Sequence, residues 1–453
     1  MSSGYIIGSN NTRGSVRLTS ASRRQSLLNE TYISIKDYTI DIACIVLSRI
    51  MLDCVYILYI VPFHSYASHF RYYPDYLNYA ISWIALIAAA PLALNYRRSK
   101  QNTLSDVFIA CLFFLAYLPG TVVIAYQGVS TSFITCYLCY WLFVFCLARV
   151  FPKIRINRPL ERYRSIVLKV MVVFFALGVI YISWRYTGFR IHLSLDDVYE
   201  LRTEAHAYNW PTIFSYILNA AVTIIPIIAI YALYKRNNWL FVSLCLIQLL
   251  AFSIDGLKST IIALVVGIIG YFFFKRLNIS AFVRILSCLV VFGVGLWFVG
   301  HDYIVNLLVR RTMLVPAVLN VHYFDFFSSN PLDYFRQSVF SKIGFQSDYS
   351  QGFGYVIGQQ VLNSETNANN GLFSDAYANL GAAGCVLMPF LVIALIRVIE
   401  ACSEGLPIPI MIIVVVVGVY TLISSLFFTA LLTHGIAFLC LCLYLLPRDF
   451  ESQ

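Results

Sequence analysis

TIFSYILNAAVTIIPIIAIYALYKRNNWLFVSLCLIQLLAFSIDGLKSTIIALVVGIIGYFFFKR, residues 212 to 276, carries its formal charges only at breaks between apolar runs: Lys235 and Arg236, Asp255 and Lys258, Lys275 and Arg276. Hydrocarbon offers backbone N–H and C=O groups no partner. A crossing segment is therefore a helix of about 20 apolar residues that satisfies them internally. The three runs suit that length, and the sign of the breaks alternates from basic to near-neutral to basic. The stretch predicts three consecutive transmembrane helices.

Working outward, the same pattern covers most of the chain. Its 453 residues are 60% hydrophobic and 12% charged, with a mean hydropathy of +0.75. A soluble domain carries about a quarter charged residues, so a soluble globular reading is excluded. Apolar runs predict twelve spans, near 38–61, 79–95, 105–125, 131–151, 166–184, 212–234, 239–254, 259–274, 281–299, 376–396, 408–425 and 429–446. The expected fold class is an all-α polytopic membrane protein.

The net charge of +10 reads as topology rather than as affinity for nucleic acid. The Ser-rich, basic stretch 1–37 has no apolar core before the first span, which predicts a disordered cytoplasmic tail rather than a cleaved signal peptide. Placing it inside puts more than half of the 32 Lys and Arg inside too, among them Arg97, Lys153, Lys235, Lys275, Arg397 and Arg448, with both termini cytoplasmic. All seven histidines then fall on or near the outward side. The domain reading is a tail at 1–37, nine spans over 38–299 with an outward loop at 185–211, a long outward loop at 300–375, and the last spans with a cytoplasmic C-terminus over 376–453. Long loops with their own Gly, Pro and aromatic content tend to carry function, so the chemistry is expected outside. All twelve cysteines lie in or at the edge of apolar runs and read as packing residues.

Several clusters could carry chemistry. Glu200, Arg202 and Glu204 precede a span and could point into the mouth of a bundle, or form ion pairs in a solvated loop. At Asp255-Gly256-Leu257-Lys258, Gly256 permits a tight reversal and a helix starting near Ser259 points its positive end toward Lys258. That suits an anion, while an Asp255–Lys258 pair in a capped turn is the structural alternative. Arg310 and Arg311 sit in a run, Tyr303 to Leu319, spaced like an interfacial amphipathic helix. They suit a pyrophosphate or lipid headgroups.

Downstream, His322, Asp325, Arg336 and Lys342 lie among aromatic rings, which suits sugars or a loop packed on the membrane. Asn367, Asn369, Asp375 and Tyr377 belong to an Asn-rich helix entrance that can cap a helix or read carbohydrate hydroxyls. Arg49 and Asp53, four apart in the first span, are expected to neutralise each other inside the bundle. No His, Cys or carboxylate spacing suits a metal, and no cofactor motif occurs, so neither is expected.

This layout resembles the Wzy-type O-antigen polymerases, the bacterial oligosaccharide repeat-unit polymerase family. The likeness rests on about a dozen spans with a moderate and a long outward loop, and on three motifs: Tyr199-Glu200-Leu201-Arg202, Gly256-Leu257-Lys258-Ser259, and the stretch from Asn367 to Gly381. It implies a helix bundle like that of GT-C glycosyltransferases, in a bacterial inner membrane. The implied reaction is metal-independent transfer of a glycan from undecaprenyl diphosphate to the hydroxyl of another lipid-linked repeat unit, serving lipopolysaccharide or other polysaccharide biosynthesis. Arg202, Lys258, Arg310 and Arg311 would hold the diphosphate. Asp255, Glu200, His322 or Asp325 would take the proton, and Asn367, Asn369, Asp375 and Tyr377 would bind glycan. The flippase and chain-length regulator of such a pathway, with membrane lipids, are the implied partners. An O-antigen ligase, transferring glycan to lipid A-core, or a lipid-linked oligosaccharide transporter are the other readings.

Overall fold

The structure is a computed structural model describing residues 20–95, 102–158, 161–191, 201, 204–205, 207–208, 210–338 and 340–448; within these, the side chains of 20–35, 66–68, 161, 258, 259 and 342 are not described. The described residues are all-helical, with no strand. The chain is an all-α polytopic membrane protein. Nine helices among the described residues are long and apolar enough to cross a membrane: α1 (Lys36–Ser65), α2 (Tyr76–Ala93), α3 (Leu104–Tyr126), α4 (Thr131–Val150), α5 (Arg162–Thr187), α6 (Thr212–Tyr234), α7 (Asn238–Asp255), α9 (Ile279–Phe298) and α12 (Phe373–Ser403). The other three expected spans fall on shorter helices, α8 (Lys258–Phe273), α13 (Ile408–Ser424) and α14 (Ile436–Leu445).

Two expectations about the ends of elements change. The helix leading into α1 begins at Ser20, so the latter part of the expected tail is helical. The run after α9 is not an interfacial helix at the surface. Residues 303–329 are helical throughout, a π-helical stretch Val305–Leu314 followed by α10 (Val315–Ser329), and the segment packs inside against α3, α9 and α12. Its sequence explains the difference: from Ala317 to Phe324 every side chain is buried, so the apolar face widens into a full circumference.

The centre is α3, which packs on α1, α2, α4, α9, α10, α12 and α13. Every residue from Leu118 to Tyr126 is buried. A Cβ at Gly120 would fall 1.8 Å from the Tyr137 hydroxyl oxygen, so the close crossing of α3 and α4 requires a glycine there. Arg49 lies fully buried on α1, ion-paired with Asp53 as expected. Its guanidinium also donates to Thr121 Oγ1 (3.1 Å) on α3 and to Ser82 Oγ (3.1 Å) on α2, under the Trp83 ring at 5.1 Å. One cation thus ties three helices together.

The two ends of the bundle differ. At the basic end the connections meet one another: Ile279 N donates to Asn102 Oδ1, Arg158 and Arg448 donate to Glu404 O, and Arg397 donates to Ala148 O. The opposite end collects the loop before α2, the α3–α4 turn, the start of the 303–329 helix and the entrance to α12. There α12 is broken at Gly381 (φ 57, ψ −140), which strips the carbonyls before it of helical partners. A loop supplies them: Asp333 N donates to Ala378 O (3.1 Å), Tyr334 N to Asn379 O (3.2 Å) and Phe335 N to Asn379 Oδ1 (2.7 Å).

Candidate functional site

After a π-helical turn at Tyr56–Ile60, the α1 helix stops at His69, whose left-handed backbone (φ 52) turns the chain toward α2. Gln127, buried at the end of α3, fixes this turn by using both ends of its amide. Its Nε2 donates to His69 O (2.8 Å), while its Oε1 accepts from Arg71 N (2.9 Å) and from the Tyr56 hydroxyl (2.6 Å). A hydrogen bond from Tyr73 N to Tyr126 O (2.8 Å) continues the seam. His69 and Arg71 are thereby held at the mouth of the bundle.

The 303–329 helix brings the rest. The His322 ring meets the His69 ring edge-on at 6.1 Å, and Asp325, one turn further along, lies in the field of Arg71. Burial raises the Asp325 carboxyl above the usual carboxylate range, and the nearby Arg71 cation pulls it part of the way back. On the α1 side, the Tyr59 hydroxyl donates to Asp302 Oδ2 (2.7 Å), and the His64 ring packs 4.8 Å from Tyr59. Both Arg310 and Asp302 act electrostatically on His64. Arg310 is held by Asn306, through Nε to Oδ1 at 2.6 Å. Phe133, Phe324, Phe373 and Tyr377 form an adjoining aromatic wall, with Phe324 and Tyr377 at 4.5 Å and the Tyr377 hydroxyl 3.0 Å from Ser328 Oγ.

No family model, curated protein or solved structure matches this chain.

Of the residues singled out in the sequence, the structure brings His322, Asp325, Arg310 and Tyr377 to this end of the bundle. Arg311 follows Arg310 in the same π-helical stretch and is exposed. Glu200 and Arg202 lie outside the described residues, and of that cluster Glu204 pairs with Arg190. The turn after α7 has the expected form: Gly256 is left-handed (φ 63), Asp255 accepts from Leu257 N (2.9 Å), and the next helix begins at Lys258, whose side chain is outside the described set. That hairpin packs on α5 and α6, whereas Arg310 sits on the segment packed against α1, α3 and α9.

Three of the proposed glycan contacts change. Asp375 is 2% exposed, and its oxygens accept from Asn379 Nδ2 (2.8 Å) and Phe427 N (2.7 Å). It holds the α12 entrance to the chain after α13 and cannot meet a sugar without opening that joint. Asn367 and Asn369 are exposed, but their amide oxygens lie over Gly354 at the start of α11 (Phe353–Gln360), where a Cβ would fall 1.9 and 2.5 Å from them. They stand beside the start of α11 rather than at the α12 entrance.

Two groupings were not legible in the sequence, His69 and Arg71 with Gln127, and His64 with Asp302. The available signal was the gathering of histidines on one side, two of them in the short segment before α2. Among the described residues no group of three or more His, Cys, Asp or Glu is placed to hold a metal ion.

Proposed function

We propose that the protein is a repeat-unit polymerase acting on polyprenyl-diphosphate-linked oligosaccharides. The observation that supports this reading is the meeting of Arg71, His69, His322 and Asp325, beside Tyr377, at the end of the bundle opposite the basic connections, with Arg310 meeting His64 further back along the helix of His322 and Asp325. On the positive-inside rule that end faces outward, with both termini cytoplasmic in a bacterial inner membrane. The acceptor's sugar hydroxyl attacks the anomeric carbon of the donor glycan. A new glycosidic C–O bond forms, the C–O bond to the diphosphate breaks, and the lipid diphosphate departs with its electron pair. Arg71 stabilises the charge growing on its oxygens and Asp325 takes the hydroxyl proton, while Arg310, fifteen residues and about 20 Å back along the same helix, holds the acceptor's own diphosphate. Tyr377, half-buried at the edge of the aromatic cluster, offers a ring and a hydroxyl to the sugars.

Deleting the gene in its own host tests the reading. Lipopolysaccharide carrying a single repeat unit on core is the expected band; bare core would favour a ligase or a flippase, and unchanged long chains would remove the reading altogether.

The proton step has its own signature. A base must be deprotonated, so activity falls as pH drops through the raised Asp325 value. Arg71 lowers that value, so Arg71→Gln should move the acid limb of kcat/KM to higher pH, and Asp325→Asn should abolish the limb along with most activity. An acid limb that stays in place in Arg71→Gln would take Asp325 out of the base role.

A further inference from the structure

The stretch from Arg336 to Asp348 leaves the bundle as a tied excursion. At its base the Arg336 guanidinium donates to Asp348 Oδ2 (2.6 Å), Leu332 O (3.0 Å) and Asp333 O (2.8 Å). The buried Asp333 carboxylate accepts from Gln337 N (2.7 Å) and from the Ser347 hydroxyl, closing the two strands of chain onto each other. Asp333 itself is anchored by its N–H to the break in α12. The excursion therefore stands at one place on the bundle rather than swinging.

Its tip is apolar. Phe340, Ile343 and Phe345 are 40%, 67% and 58% exposed, around a single 3₁₀ turn at Phe340–Ile343. Phe345 N donates to Phe340 O, Phe340 N to Phe335 O, and the Phe340 and Phe345 rings meet edge-on at 5.9 Å. Three large apolar side chains held together on a short, tied turn and left in contact with water mark an interaction surface. Their height on the bundle follows from Phe335, whose ring packs edge-on at 5.4 Å on Phe428, just beyond the end of α13 at Ser424. Exposed Leu432 and Phe438 continue the apolar surface from there down α14. The tip thus sits where the apolar helices end, at the water–hydrocarbon boundary. Arg336 and Lys342 against Asp348 leave the excursion basic in sequence, as an anionic headgroup layer favours.

We propose that the Phe340–Phe345 turn is a membrane anchor, inserted at the headgroup–acyl boundary of the phospholipid leaflet at this end of the bundle, and that it pins the loop bound to the broken α12 helix. The reading depends only on the protein spanning a membrane, not on glycosyl transfer.

Depth-dependent quenching tests it. A coumarin amino acid replaces Ile343 in the full-length protein, reconstituted in vesicles of phosphatidylcholine and phosphatidylglycerol. Nitroxide lipids labelled near the headgroup should quench it several-fold more than lipids labelled at the chain end, and aqueous iodide should quench it little. Strong iodide quenching with neither lipid effective would place the tip in water and overturn the anchor. Shielding from both quenchers that disappears as protein is diluted in lipid would assign the tip to a second copy of the chain, which overturns it equally. In the Phe340→Ser/Phe345→Ser variant, lipid quenching at position 343 should fall to the level of a water-exposed residue while the thermal midpoint stays unchanged; retained quenching would show that the two rings do not anchor the turn.

Discussion

Arg310→Ala is expected to lower chain elongation by roughly a hundredfold or more while the protein still inserts and purifies as a single species. Arg310 is half-buried in a π-helical stretch, positioned by Asn306 and within the field of His64. A guanidinium fixed in this way binds the acceptor's diphosphate without reorganising and so positions its hydroxyl, which is why the effect should fall on turnover rather than on assembly. Arg310→Lys keeps the charge but loses the forked geometry, so it should recover only part of the rate. The measurement is turnover of purified protein on lipid-linked repeat units, alongside polymer length in cells at matched expression. Normal elongation by Arg310→Ala would dissociate this end of the bundle from the reaction.

Arg49→Met should have the largest effect on the fold. Removing the cation leaves Asp53 buried and uncompensated, and strips Thr121 and Ser82 of a shared donor. Breaking a buried ion pair from one side costs about 3–5 kcal/mol, a large share of what holds a protein folded. Most of the chain should then aggregate on detergent extraction. Replacing both partners, as Arg49→Met/Asp53→Leu, removes the orphaned charge and should restore a monodisperse peak. Size-exclusion profiles and thermal midpoints compare the three proteins; if the single variant extracts as well as the wild type, the pair does not support the three-helix joint.

Much of the fold could be read along the chain because lipid imposes a one-dimensional rule. A helix must be apolar for a fixed length, and a charge must stand where it ends, so Lys235, Asp255 and Lys275 mark helix ends directly. The same rule misplaced the helix at 303–329, which read as interfacial over Tyr303 to Leu319 and packs inside the bundle. Arg310 and Arg311 break its hydropathy, and its burial comes from neighbouring helices that are distant in sequence. The candidate site was half legible for a related reason. His322, Asp325 and Arg310 stood out by residue type in an unusual stretch, but the meeting of His322 and Asp325 with His69 and Arg71 depends on Gln127, one amide at the end of another helix. Asp375 looked like a surface acid because it borders an Asn-rich loop. Its burial follows from the return of the chain at Phe427, which no local pattern announces.

The break at Gly381 also orders the birth of the protein. A ribosome releases Asp333, Tyr334 and Phe335 well before the Ala378 and Asn379 carbonyls that receive their N–H groups. Until α12 has threaded into the membrane, those donors have no receiver. The cluster on α1, α3 and the 303–329 helix can gather earlier, but Tyr377 arrives with the same late segment. Completion of the site therefore coincides with insertion of the third helix from the end, so a nascent chain stopped before it would hold most of the ionisable groups without Tyr377 beside them.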